Sequence, residues 1–221
     1  MGLIPVAIML ALFLLNTPIA LGIAMAALSF FLMSSGLPIS SFIQKMASST
    51  ESFPLLAVPF FIFAGTIMNH AGITRRLLGF ADALVGHTIG GLAQANVMLS
   101  ALMGGLSASA NADAAMQAKM LGTEMVRRGY SPGFTAAVCT CSAVITPIIP
   151  PGIGLILYGF LANVSVGRLF IAGIVPGLLI MLALMLAVRL RAKSRKYKPT
   201  RVKMATGREL WKAFVESLGA L

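Results

Sequence analysis

The chain has 221 residues, 58% of them apolar and only 10% charged, where a soluble domain carries about 25% charged residues. Its net charge of +11 is concentrated: ten Lys/Arg and one acid, Glu209, fall in 189–212 directly after an apolar stretch. That is the pattern of a cytoplasmic stop beside the anionic headgroups of a lipid bilayer, and it argues against a nucleic-acid partner.

The apolar residues form blocks at 3–33, 53–68, 88–106, 132–160 and 169–188. Blocks of about 20 residues match a hydrocarbon core of about 30 Å. None alternates strictly as a membrane β-barrel strand does, so the expected fold class is all-α integral membrane. The first block follows no basic n-region and closes on no small-x-small site, so it is expected to stay in the protein. Asn16-Thr17-Pro18 interrupts it. Either one tilted helix kinks at Pro18 or two short helices turn there, and the sequence leaves both open.

Residues 34–52 are small and polar, as at a membrane surface. Phe53-Pro54 opens the next span, to about Asn69. In 73–86 the residues Ile73, Leu77, Leu78, Ala81, Leu84 and Val85 share one helical face, with Arg75, Arg76 and Asp82 elsewhere. This predicts an amphipathic helix along the interface. Gly90-Gly91 opens an apolar helix to about Leu106. The following helix, about 110–128, carries Asp113, Gln117, Lys119, Glu124, Arg127 and Arg128. Each charge facing lipid at the bilayer centre costs about 2.5–3.5 kcal/mol. Residues 88–128 therefore read as a helical hairpin shielded by protein, with both ends on one side.

Ser131 is placed to cap a helix that begins at Pro132 and runs to about Thr146. Pro147, Pro150 and Pro151 cannot continue it. A second piece runs from about Gly152 to Leu161, so 132–161 reads as one broken span. Residues 169–188 cross back and end in the basic segment. Arg75/Arg76, Lys119/Arg127/Arg128 and that segment are all expected on the cytoplasmic side.

Two places carry chemistry. In 107–113, Ser107, Ser109, Asn111 and Asp113 alternate with alanines. Hydroxyls, an amide and freed carbonyls are hard oxygen ligands suited to a partly dehydrated Na⁺, and polar residues within a membrane segment point to function. The competing reading is a packing tip at which small residues let backbones approach. At 146–152 three prolines open the backbone, which is tolerated at membrane depth only where it is buried or lines a cavity. Half-helix ends there present carbonyls to a cation and amides to an anion. Two interrupted segments in tandem are the sequence pointer to a secondary-transporter site.

Other features read more plainly. Cys139 and Cys141 lie two apart, on different faces, and are expected to be reduced packing residues. His70 and His87 fall at helix ends, Asn163-Val164-Ser165 is an isolated sequon match, and no Walker loop, zinc-protease motif or nucleophile elbow is present.

Several segments in order resemble the large membrane subunit of TRAP (tripartite ATP-independent periplasmic) transporters. They are Pro59-Phe60-Phe61-Ile62-Phe63-Ala64-Gly65, Gly72-Ile73-Thr74-Arg75-Arg76-Leu77, the 107–113 tip, Arg128-Gly129-Tyr130, Pro147-Ile148-Ile149-Pro150-Pro151 and Ala172-Gly173-Ile174-Val175-Pro176-Gly177. The resemblance implies a Na⁺-coupled importer of organic acids such as C4-dicarboxylates, multi-pass in a bacterial inner membrane. It implies an elevator-type transporter working with a small membrane subunit and a periplasmic substrate-binding protein, with no cofactor and no enzymatic activity. Carried over, the sodium sites put Ser107, Ser109 and Asn111 opposite Thr146, Pro147 and Gly152. Ala108, Asp113, Pro150 and Pro151 are substrate-site candidates. No metal other than Na⁺ is expected.

The chain departs from the family pattern at Ala108, where a glycine is usual, and at Thr146 and Gly152, where Gly and Ser are usual. The family subunit is about twice as long and holds two inverted repeats. This chain resembles the first, with a re-entrant hairpin and a discontinuous helix, so it is expected to be a fragment or one half of a split subunit. Residues 1–70 are then scaffold and 71–87 an arm helix. Residues 88–188 are half a transport domain (hairpin 88–128, broken helix 132–161, helix 169–188), and 189–221 leads to the second repeat. A channel or pore subunit, and an intramembrane enzyme centred on Asp113, are the alternatives.

Overall fold

The computed structural model describes residues 3–34, 36–51, 53–106 and 109–218, and every regular element among them is helical. The chain divides after Leu56 into two compact units.

The first unit settles what the sequence left open at Asn16-Thr17-Pro18. Helices α1 (Leu3–Leu14) and α2 (Ile19–Met33) are separate. Asn16 takes the left-handed conformation, φ 58°, which Asn tolerates better than most residues. The amide and hydroxyl of Thr17 both donate to the Leu12 carbonyl, at 3.1 and 2.6 Å. The turn folds Phe13 against Gly22, where a Cβ would lie 2.7 Å from the Phe13 ring. At 1.5 Å per residue α1 and α2 are about 18 and 22 Å long, each short of a ~30 Å core. The small polar segment that follows contains a further helix, α3 (Ile39–Thr50). Its Phe42 ring meets Phe31 of α2 at 5.7 Å.

Helix α4 (Phe53–His70) runs from the first unit into the second. The second unit is built around α6 (Gly91–Met103), which packs against α5 (Ile73–Val85), α9 (Pro132–Ala143) and α11 (Val166–Ser194). Helix α6 is buried on all sides, so it is apolar or small nearly all round. Leu99, Val97, Leu121, Met125 and Ile145 form the centre of the core. After α6 come α7 (Ala110–Gln117) and α8 (Thr123–Arg127), joined by a π-helical turn at Ala118–Gly122. The segment 144–152 then separates α9 from α10 (Ile153–Leu161). Ser131 does precede α9 with Pro132 in the first turn, but its side chain makes no capping bond. Its hydroxyl instead accepts from Arg195 Nη1 at 2.6 Å.

Helix α11 is longer than its apolar block, with 29 residues, and carries Arg189, Arg191 and Lys193 in its last turns. Among the described helices it alone is long and apolar enough to cross a membrane unaided. Ile171, Val175, Leu179, Leu182 and Leu186 are exposed along it. Exposed Leu, Ile and Phe recur on α1, α2, α4 and α10, while Asn96, Ser100, Asp113 and Gln117 are buried. Polar groups inside and large apolar side chains outside suit a lipid or protein surround, not water.

The basic segment is not loose. Tyr197 packs on Tyr130 (ring centroids 4.3 Å) and Phe134 (5.4 Å). The amides of Thr200 and Arg201 both donate to the Gly86 carbonyl, at 2.8 and 3.1 Å, and Arg201 Nε donates to Asp82 Oδ2 at 2.9 Å. The corner between α5 and α6 admits this close approach because a Cβ on Gly91 would lie 2.7 Å from the Thr200 amide nitrogen, while Gly90, with φ 73°, makes room in the same way for Ala192. Helix α12 (Gly207–Leu218) closes the unit against α5, with Phe214 facing Phe80 at 5.6 Å. Ile73, Leu77, Ala81 and Val85 of the apolar stripe of α5 are buried in the core with α6, where the sequence predicted a membrane interface, and α12 covers the adjoining side at Phe80 and Ala83.

Candidate functional site

Three pairs of polar residues, each four apart on a helical path, converge inside the second unit. They are Asn96 and Ser100 on α6, Asp113 and Gln117 on α7, and Ser142 and Thr146 at the end of α9. Spacing of four puts both members of a pair on one face. Asp113 is 1% exposed and the other five 0%, so their polar atoms must find partners within the protein.

They find them in one another. Thr146 Oγ1 donates to Asp113 Oδ2 at 2.6 Å, with the Ser100 carbonyl a second acceptor at 3.3 Å. Gln117 Nε2 donates to the same Asp113 oxygen at 2.7 Å and to Ser100 Oγ at 2.5 Å. Ser142 Oγ lies 3.0 Å from Gln117 Oε1 and 2.7 Å from the Val138 carbonyl, and accepts from Asn96 Nδ2 at 3.0 Å. Each bond contributes about 1 kcal/mol net, and the cost of leaving a buried partner unpaired is larger, about 1–3 kcal/mol. The network therefore fixes α7 against α6 and against the start of the 144–152 break. Asp113 Oδ1 and Asn96 Oδ1 are buried with no donor among the described residues.

The break itself is held by small residues. A Cβ at Gly104 would lie 2.5 Å from Ile149 Cβ, one at Gly177 2.5 Å from Ile149 Cγ1, and one at Gly173 2.6 Å from the Ile148 carbonyl. Ile148 and Ile149 are thus seated between the end of α6 and the middle of α11. The Pro150 carbonyl faces Gly105.

The sequence-derived site residues fall as follows. Asp113 and Thr146 are in direct contact. Ser109 caps α7, its hydroxyl accepting from the Ala112 amide at 3.4 Å. Ser109 lines a cavity of about 360 Å³ together with Thr66, Met103, Met116 and Ile153, the first residue of α10. Gly152 is buried, and a Cβ there would strike the Pro147 carbonyl. Pro147, Pro150 and Pro151 are half-buried, and Asn111 is exposed. Ser107 and Ala108 lie outside the described residues. Both cysteines are free thiols, Cys139 buried and Cys141 exposed. The sequence alone does not single out Asn96, Ser100 and Ser142, and it marks Gln117 only as one polar residue of a shielded helix. The signal that could have found them is the repeat of polar pairs four apart, two of them in otherwise apolar segments and the third beside Asp113.

Comparison with known proteins decides the family. Residues 6–221 match the model of the DctM component of the tripartite ATP-independent periplasmic transporters. The chain belongs to this family. It is 39% identical over 207 residues to a sialic acid TRAP transporter permease of Haemophilus influenzae, covering 94% of this chain and 33% of the relative. It is 37% identical over 212 residues to a sialic acid TRAP large permease of Vibrio cholerae, covering 96% and 49%. It is 34% identical over 228 residues to a C4-dicarboxylate TRAP large permease of Rhodobacter capsulatus, covering 97% and 51%. The chain thus spans about half, or less, of the length of these relatives. TRAP permeases are integral membrane transport proteins, which accords with the apolar exterior and buried polar interior.

Proposed function

We propose that this chain supplies the first half of the large permease of a Na⁺-coupled TRAP transporter that imports an organic acid. The observation that carries the reading is the Asp113–Thr146 hydrogen bond of 2.6 Å, which joins the 109–113 turn to the 146–152 break. Two interrupted segments that meet inside a membrane protein form the kind of site at which secondary transporters bind ions and substrates. Helices α6, α9 and α10 have 13, 12 and 9 residues. At about 1.5 Å per residue none crosses a ~30 Å core alone. That supports a re-entrant hairpin for 88–128 and a discontinuous helix for 132–161.

In this reading Ser107, Ser109 and Asn111 face Thr146, Pro147 and Gly152 across the sodium site. Thr146 donates its hydroxyl proton to Asp113, which leaves the lone pairs of that oxygen, together with the backbone carbonyl, to offer an ion. Ala108, Asp113, Pro150 and Pro151 border the substrate. A second repeat, a small membrane subunit and a periplasmic binding protein complete the machine in the inner membrane, and the transport half moves as an elevator against the scaffold. The substrate class follows the relatives, whose names specify sialic acid, C4-dicarboxylate and isethionate, all organic acids.

The test is uptake by the complete assembly in proteoliposomes. Ser109→Ala and Asn111→Ala should each weaken activation by Na⁺. Sodium activation identical to wild type in both variants sinks the ion assignment. Flux that needs no binding protein favours a pore instead.

A further inference from the structure

A second cavity, of about 360 Å³, opens between α6, α9 and α11, away from the 107–113 and 146–152 segments. Its size falls within the ~300–1,000 Å³ of small-molecule sites. Val97, Phe134, Ala137, Leu184 and Val188 make its walls apolar, and Arg191 and Arg195 stand at one end. Among the described residues neither arginine pairs with a carboxylate, and Arg195 is held in place by Ser131 Oγ at 2.6 Å.

The arginines mark the depth of that end. They close α11, the helix able to cross a membrane, in the company of Arg189 and Lys193. Tyr130, Phe134 and Tyr197 cluster at the same level. Basic residues and tyrosines together are the signature of the headgroup region. The cavity therefore presents two uncompensated guanidinium groups at headgroup level and an apolar slot leading away from them. We infer that this cavity is a binding site for one anionic phospholipid, its phosphate between Arg191 and Arg195 and an acyl chain along Phe134, Ala137 and Leu184. A free phosphate would use the arginines but leave the apolar walls uncovered. A zwitterionic lipid would fill the walls but return less charge to the arginines. Basic pockets between membrane helices are known to take such headgroups.

Cys141 lines the same cavity and is exposed, whereas Cys139 is buried. This allows occupancy to be read chemically. The full chain, carrying Cys139→Ala so that one thiol remains, is placed in phosphatidylcholine nanodiscs with or without phosphatidylglycerol. The rate of N-ethylmaleimide addition to Cys141 is followed by mass spectrometry. Phosphatidylglycerol should slow it by at least ~5-fold, on the order of one basic residue's contribution at a membrane surface. Arg191→Gln, which breaks no described hydrogen bond, should restore most of the phosphatidylcholine rate. Arg195→Gln, which also takes one of two donors from the Ser131 hydroxyl, should do so as well. Equal rates in the two lipids overturn the proposal. Equal slowing by inorganic phosphate in phosphatidylcholine overturns it in favour of a simple anion site. A thiol that stays unreactive in both lipids overturns it in favour of a face covered by protein.

Discussion

Gln117 spends both amide protons and its carbonyl oxygen inside the buried network, on Ser100, Asp113 and Ser142. This fixes which way its amide points and leaves Asp113 Oδ2 with two donors, Gln117 and Thr146. Thr146→Val keeps shape and removes one donor. It should cost about 1–3 kcal/mol in chemical unfolding, because a buried carboxyl oxygen loses a partner. Gln117→Leu should cost at least as much. The double variant should deviate from additivity by about 0.5–3 kcal/mol, since both side chains serve one oxygen. Additive losses would show that the two bonds act independently. Asp113 and Thr146 were legible in the sequence as polar residues at two interruptions of apolar blocks. Asn96, Ser100, Gln117 and Ser142 were not, because each alone resembles an ordinary polar residue tolerated in a helix. Only the fold turns their matching spacing into contact.

At the scale of elements, α6, α11 and the 144–152 break are fitted by glycines facing Ile148 and Ile149. Gly173→Ala sets a methyl against the backbone oxygen of Ile148, and Gly104→Ala sets one against Ile149 Cβ. Neither neighbour can swing aside as a flexible side-chain end does, so each variant should lose about 1–3 kcal/mol in thermal unfolding. Gly79→Ala on α5 provides the contrast. A Cβ there meets nothing within 4 Å. The substitution should be neutral or stabilising by up to about 1 kcal/mol, because alanine loses less backbone entropy in a helix. Equal losses in all three variants would mean that fit is not what these glycines provide. Helix existence was largely legible from apolar runs and prolines. The separate α1 and α2 were left open, since Asn16-Thr17-Pro18 suits both a kink and a turn. The packing of Phe13 on Gly22 is a tertiary outcome with no local trace. The π-helical turn at Ala118–Gly122 also escaped notice, as nothing in Ala-Lys-Met-Leu-Gly departs from ordinary helix composition.

Across the second unit, the basic segment is a clasp as well as a charged end. Arg201, Thr200 and Tyr197 fasten it to Asp82, Gly86 and Tyr130. Arg201→Gln should barely change global stability, since a partly exposed ion pair contributes about 0–1 kcal/mol. It should nonetheless raise local opening, and tryptic cleavage after Lys196 and Lys203, neither followed by proline, should accelerate by up to about 5-fold. Unchanged cleavage would show that the backbone bonds to Gly86 suffice. The charge of 189–212 was legible, but its attachment was not, because basic residues read alike whether they face headgroups or a carboxylate 119 residues earlier.

The pairing of α5 with α12 has a consequence in time. Phe80 and Phe214 are 134 positions apart (214 − 80) in the chain. At about 5–20 residues per second of synthesis, α5 leaves the ribosome roughly ten seconds before its cover exists. During that interval the stripe of Ile73, Leu77, Ala81 and Val85 has α6 to cover it, but the adjoining side with Phe80 and Ala83 has only what a nascent chain meets: a bilayer surface, the insertion machinery or a chaperone. An amphipathic helix with that side uncovered is suited to rest at a bilayer surface while it waits. Its place beneath α12 is where it comes to rest.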